Sequence, residues 1–220
     1  MSNNQYCSTP GHSAPLKSQP NNGKCPLMRK SLSSGLRTLG RSLDSVTFSH
    51  SLRVGLLAQA MSEPLRMSDE DRQKFTLACC FHDIGKLGIP DSILLKTAPL
   101  DPSEKIRLRA HPLFGLEFIR ELGWSDRRML DTIRSHHERW DGTGYPDGLS
   151  GRRIPSWARM CAVIDAFDAM VQPRSYNSVK SLKEAREELD AQRDIQFDGR
   201  YVDLFLALPE STVERIQSIQ

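Results

Sequence analysis

The sequence predicts an all-α domain. Apolar residues recur every three or four positions through most of the chain, no segment alternates strictly enough to be a strand, and clusters of Gly and Pro punctuate the periodic stretches. At 220 residues, with 38% hydrophobic and 26% charged residues, the chain is long enough for one full domain with short appendages.

Residues 1–35 are rich in Ser, Pro, Asn and Gly without apolar period, which predicts a flexible tail. From Leu43 the stripe Leu43, Val46, His50, Val54, Leu57 and Met61 predicts an amphipathic helix with its apolar face buried. In "SDEDRQKFTLACCFHDIGK", Ser68 is an N-cap candidate, acids fill the first turn, and Gly85 and Gly88 end the helix just after His82 and Asp83. After Pro90, Pro99 and Pro102, "PSEKIRLRAHPLFGLEFIREL" resumes helical period, with a break or a new start at His111-Pro112. "RRMLDTIRSHH" closes a helix on His136 and His137, and a loop with Gly142, Gly144, Pro146, Gly148, Gly151 and Pro155 follows. "SWARMCAVIDAFDAMV", "SVKSLKEAREELDAQ" and "YVDLFLAL" predict three further helices.

Composition excludes several classes of function. A net charge of +3, without a dense run of Lys and Arg, is no nucleic-acid footprint. No apolar run reaches the ~18 residues of a membrane span, and the N-terminus lacks the apolar core of a signal peptide. Five cysteines without CxxC spacing predict free thiols in a reducing compartment, with Cys79, Cys80 and Cys161 as small core residues. The expected location is the cytoplasm.

The chain has six histidines, and all but His12 fall in helical or helix-end positions. Neighbouring helical residues point about 100° apart, so the pairs His82-Asp83 and His136-His137 serve two adjacent ions more readily than one. Imidazoles with carboxylates form a mixed N/O set suited to Fe or Mn, and less specifically to Zn or Ni. Two divalent ions against two aspartates leave positive charge, which favours a phosphodiester and its in-line hydrolysis. Plainer readings stand beside this one. A lone His on an apolar face is ordinarily a hydrogen-bonded core residue, Asp165 and Asp168 at i and i+3 read equally as one helix edge, and Lys86 as a helix-end cation.

Taken together, "HDIGKLGIPDSILLK" (82–96), "HPLFG" (111–115), "HHERWDGTGYPDGLSGRRIP" (136–155) and "ARMCAVIDAFDAM" (158–170) closely resemble the HD-GYP family, bacterial cyclic di-GMP phosphodiesterases within the all-helical HD superfamily. The resemblance spans roughly Leu43 to Leu208 and implies an HD-GYP phosphodiesterase domain over 36–215, a helical bundle with its Gly/Pro loop beside a binuclear metal site. It implies His50, His82, Asp83, His111, His136, His137 and Asp165 as ligands of two divalent transition metals, Fe or Mn, with Asp83 bridging. It further implies Lys86 on the substrate phosphate, Arg174 as a second substrate contact, and Gly142, Gly144, Tyr145 and Pro146 as the signature loop. That loop is associated with substrate and with cyclases of the GGDEF type. A rigid turn that only packs is the plainer reading of Tyr145.

Three departures from the family pattern carry expectations. Val46 stands where some relatives hold a third metal with a glutamate, so two metals are expected. "RSYN" replaces Arg-Pro-Tyr-Arg, so Asn177 removes one potential phosphate cation. The ~40 residues ahead of the helices are too few for a sensor domain. The expected activity is hydrolysis of cyclic di-GMP to pGpG and then to GMP. The alternatives are the same chemistry on cyclic GMP-AMP or a mononucleotide, and a metal-bearing adaptor that binds nucleotide or a GGDEF cyclase. Apolar positions on the first helix pair two subunits or bury within the domain, and burial is the expected outcome.

Overall fold

A computed structural model of the chain describes residues 45–172 and 179–219. The tail, Leu43, and the segment carrying Arg174, Ser175 and Asn177 lie outside these residues. The described residues form helices α1 (Ser45–Ser62), α2 (Asp69–Phe81), α3 (Asp91–Leu94), α4 (Pro102–Leu108), α5 (His111–Glu121), α6 (Arg127–Ser135), α7 (Ser156–Val171), α8 (Leu182–Ala191), α9 (Gly199–Leu206) and α10 (Glu210–Gln217), with 3₁₀ turns over Ile84–Gly88 and Gly151–Arg153. Among them there is no strand, only an isolated bridge between Arg193 and Phe197. None of their helices is long and apolar enough to cross a membrane.

Local chemistry sets the helix starts. The Ser68 hydroxyl accepts from Asp71 N at 3.1 Å ahead of three acids in the first turn of α2. Asp101 and Glu104 form a reciprocal capping box on α4, as do Ser181 and Glu184 on α8. Asp126 and Asp198 cap α6 and α9.

Helix α2 is the central wall of the bundle. Every residue from Phe75 to Phe81 is buried, as befits a helix enclosed all round. Phe75 and Cys79 join a cluster with Val54, Leu57 and Met61 of α1, Phe167 of α7 and Phe205 of α9. Leu77, Cys80 and Phe81 join Ile119, Met129 and Ile133 of α5 and α6 on the other side. Each large side chain enclosed this way contributes about 1.5–3 kcal/mol. Because apolar neighbours enclose α2, its C-terminal end opens inside the protein and delivers His82 and Asp83 there.

The sequence reading needs four corrections. Val46 is 71% exposed rather than part of the buried stripe, whereas Val54, Leu57 and Met61 bury within the domain as expected. The helix carrying His82 stops at Phe81, so Lys86 does not share a helical side with His82 and Asp83; a 3₁₀ turn brings it back. Helices α3 and α10 were not expected, because one is a single turn and the other buries only Val213 and Ile216. Asp168 does not decorate an edge; it is fully buried. His111-Pro112 is a new start, one of the two options left open. Cys79, Cys80 and Cys161 are buried free thiols, as expected, and Cys7 and Cys25 lie outside the described residues.

The turn after α2 packs backbone to backbone on α5. A Cβ on Gly85 would lie 1.9 Å from His111 O and 2.3 Å from Gly115 N, so a side chain there forces the turn off the helix. Gly85→Ala is expected to cost about 3 kcal/mol in urea unfolding. A loss under about 1 kcal/mol would contradict the close approach.

Candidate metal centre

Five elements deliver the polar residues to one place. His50 comes from the middle of α1, His82 and Asp83 from the end of α2, His111 from the first position of α5, His136 and His137 from the end of α6, and Asp165 from α7. His50, His82, Asp83, His111 and His136 are all buried, while His137 and Asp165 are partly open.

Asp83 divides these residues into two groups. Its Oδ2 lies 3.3 Å from His82 Nε2 and 3.7 Å from His50 Nε2. Its Oδ1 lies 3.2 Å from His111 Nε2 and 3.9 Å from His136 Nε2. In each group, His50-His82-Asp83 and Asp83-His111-His136-His137, the potential ligand atoms lie within 4.8 Å of one another. Asp165 joins the first side, its Oδ1 3.2 Å from His50 Nε2 and 3.6 Å from His82 Nε2.

The donor arrangement fits cations. His82 Nδ1 donates to Cys79 O at 2.6 Å, His111 Nδ1 to Leu108 O at 2.8 Å and His136 Nδ1 to Ile133 O at 2.8 Å. A carbonyl accepts only a proton, so each ring carries hydrogen on Nδ1, and a neutral ring then turns a lone pair inward from Nε2. His111 and His136 meet Nε2 to Nε2 at 3.3 Å, and Asp83 Oδ1, buried beside them, has no hydrogen-bond partner. Lone pairs facing a buried carboxylate oxygen repel one another, and a cation between them removes the repulsion.

Charge states agree with that role. Burial, with the neighbouring histidines adding to it, holds His136 well below the usual imidazole value, and burial takes His137 down to about 4, so both are neutral at pH 7. Burial would raise Asp83, but Lys86 and His82 beside it hold its carboxyl well below the usual range. Burial alone would depress His82, yet Asp83 and Asp165 raise it well above the usual value. A proton on His82 and a cation are therefore alternative counter-charges in one anionic pocket.

The rim of the site is built by the turn and the loop. Lys86 Nζ lies 2.5 Å from Asp83 Oδ2, with the side chain 29% exposed. In the loop, Tyr145 stacks on His137 at 4.8 Å between ring centres, and Arg109 lies over the other part of that stack, 5.2 Å from the Tyr145 ring. Gly144 leaves no room for a side chain, since a Cβ would lie 2.4 Å from Arg139 N. Gly142 and Pro146 shape the turn on either side, with Gly142 at φ +84°. Arg174 lies outside the described residues.

Sequence reasoning missed three supports of this arrangement. Glu138 is buried and accepts from Asp147 N at 2.7 Å and Leu149 N at 2.9 Å, pinning the loop. Asp168 and Arg53 lie behind His50. For Arg53 and Asp168 the available signal was a charged residue one turn from a candidate ligand inside an apolar stripe.

A family model described as the HD domain matches residues 29–201. A cyclic di-GMP phosphodiesterase of Thermotoga maritima is 38% identical over 183 residues, covering 81% of this chain and 49% of that protein. A 3'3'-cGAMP-specific phosphodiesterase 2 of Vibrio cholerae is 35% identical over 164 residues, covering 73% of this chain and 31% of that protein. The chain thus spans half or less of the length of these relatives. A solved cyclic GMP-AMP specific phosphodiesterase of V. cholerae shares the fold, with a TM-score of 0.57 at 19% identity over 88% of this chain and 53% of that one. With the family match covering most of its length, and the His-Asp and Gly-Tyr-Pro motifs standing in order around one cluster, this chain belongs to the HD-domain family, in its HD-GYP branch.

Proposed function

We propose that residues 36–215 form a metal-dependent phosphodiesterase domain that hydrolyses cyclic di-GMP to pGpG and on to GMP. The observation that carries this reading is the division of Asp83 between two groups of convergent ligands, with Lys86 at the rim. The ligands are His50, His82, Asp83 and Asp165 on one side and Asp83, His111, His136 and His137 on the other. The metals are two Fe or Mn ions, by the mixed N/O donor set. Bound there, they supply Lewis acidity at a phosphoryl oxygen and lower the pKa of water.

The chain's own groups do the rest. Asp83 holds both positions in register. Lys86 places an ammonium where a nonbridging phosphate oxygen enters, and Arg174 supplies a guanidinium from the segment after α7. Tyr145 offers an aromatic face at the mouth, backed by His137. Its loop, with Gly142, Gly144 and Pro146, is also the surface for GGDEF-type cyclases. The setting is the cytoplasm, where cyclic dinucleotides signal. A second substrate is favoured by one observation: relatives named as cGAMP-specific match nearly as well as those named for cyclic di-GMP, at 35% against 38% identity. Competing cyclic di-GMP with cyclic GMP-AMP at equal concentration decides between them.

Purified protein reconstituted anaerobically with Fe(II) or Mn(II) is expected to bind two ions per chain and to release pGpG or GMP, read by chromatography. Asp83→Ala is expected to abolish turnover and most metal binding while α8 to α10 stay folded; a variant with two metals and full rate would refute the bridging role. Lys86→Ala should keep both metals and lower kcat/KM by about 10–100-fold, the loss of one charge-assisted hydrogen bond of about 1.5–3 kcal/mol. An unchanged kcat/KM would remove Lys86 from the phosphate.

A further inference from the structure

The two sides of the centre are supported differently. His82, His111 and His136 each donate Nδ1–H to the backbone carbonyl three residues earlier. His50 instead donates to a carboxylate, Asp168 Oδ2, at 2.7 Å. Asp168 lies one turn beyond Asp165, so α7 presents one carboxylate to the Nε2 side of His50 and another to its Nδ1 side.

Arg53, one turn along α1 from His50, closes the arrangement. Its Nε donates to Asp168 Oδ1 at 2.8 Å and its Nη2 to Oδ2 at 3.0 Å. The third donor, Nη1, reaches Ile219 O at 2.9 Å, in the segment after α10. Arg53 is 4% exposed and Asp168 0%, so neither charge is screened by water.

We propose that Asp168, oriented by Arg53, is a positioning residue that makes the two ion positions unequal. A carboxylate accepting the Nδ1 proton leaves more electron density on Nε2 than a carbonyl does, so His50 is the strongest imidazole donor of the set toward a cation. The guanidinium fork fixes the plane of Asp168 and balances its charge, which keeps the carboxylate from withdrawing the imidazole proton outright. The His50 side then holds its ion by a carboxylate-polarised imidazole. On the other side, His111 and His136 are polarised by backbone carbonyls. This inference rests on the metal centre proposed above, and nothing in it depends on which nucleotide is cleaved.

The test is anaerobic calorimetric titration of the metal-free full chain with Mn(II). It compares wild type, Asp168→Asn, and Asp168→Asn with Arg53→Gln, the last leaving no lone buried charge should the single variant fail to fold. Wild type is expected to bind in two resolved steps. His111→Ala is expected to remove the step that does not belong to His50, which assigns the two. The Asp168 variants should weaken the His50 step by about 10–100-fold and leave the other within about twofold. Equal weakening of both steps, no weakening, or a single step in wild type would overturn the proposal. A wild-type chain that binds no Mn(II) would instead bring down the metal centre itself, and two intact steps without turnover would count against the substrate alone.

Discussion

Inside the bundle, one carboxylate stands between two sets of imidazoles, with an oxygen that no hydrogen-bond donor reaches. Leaving such an atom buried costs on the order of 1–3 kcal/mol and more for a charged group, and converging lone pairs add to it. The surrounding structure is arranged to hold that geometry. The second half of helix α2, Phe75 to Phe81, is buried all round, so that its end, and not its face, meets the site. Gly85 lets the next turn pass against α5 at backbone contact, which sets His111 opposite Asp83. Backbone carbonyls on α2, α4 and α6 fix three ring orientations, and Asp168 fixes the fourth.

Much of this was legible because the candidate ligands interrupt apolar periodicity. A histidine inside a stripe such as Val54, Leu57 and Met61, or at the stop of a helix before glycines, stands out without knowledge of the fold. The unread part depended on partners far along the chain. Asp168 pairs with residues 115 and 118 positions away, and spacing alone could not say that its side of α7 turns inward. Helical spacing fails for Lys86, since the backbone leaves the helix at Asp83 and a 3₁₀ turn brings the ammonium to that carboxylate. Val46 fits the stripe by position but lies at the first turn of α1, beyond the packed part of the helix. Helix α10 has too few apolar residues for its period to show.

The Gly/Pro loop illustrates a different division between sequence and structure. Its glycines mark where the chain turns, but its placement comes from Glu138, whose two oxygens hold two backbone N–H groups, and from the forked pair of Arg134 with Asp147 at 2.8 and 2.7 Å. These contacts fasten the loop to α6, the helix that carries His136 and His137. The aromatic face of Tyr145 is therefore built on the same frame as the candidate ligands, stacked on His137 with Arg109 over its ring.

The proposed centre requires Asp83 to be shared by two cations. The most direct measurement is electron paramagnetic resonance of the chain loaded anaerobically with two equivalents of Mn(II). Two ions joined through one carboxylate are exchange-coupled, so the account predicts a coupled dimanganese spectrum that Asp83→Ala loses. Two independent six-line signals, or a coupled spectrum that persists without Asp83, would contradict it.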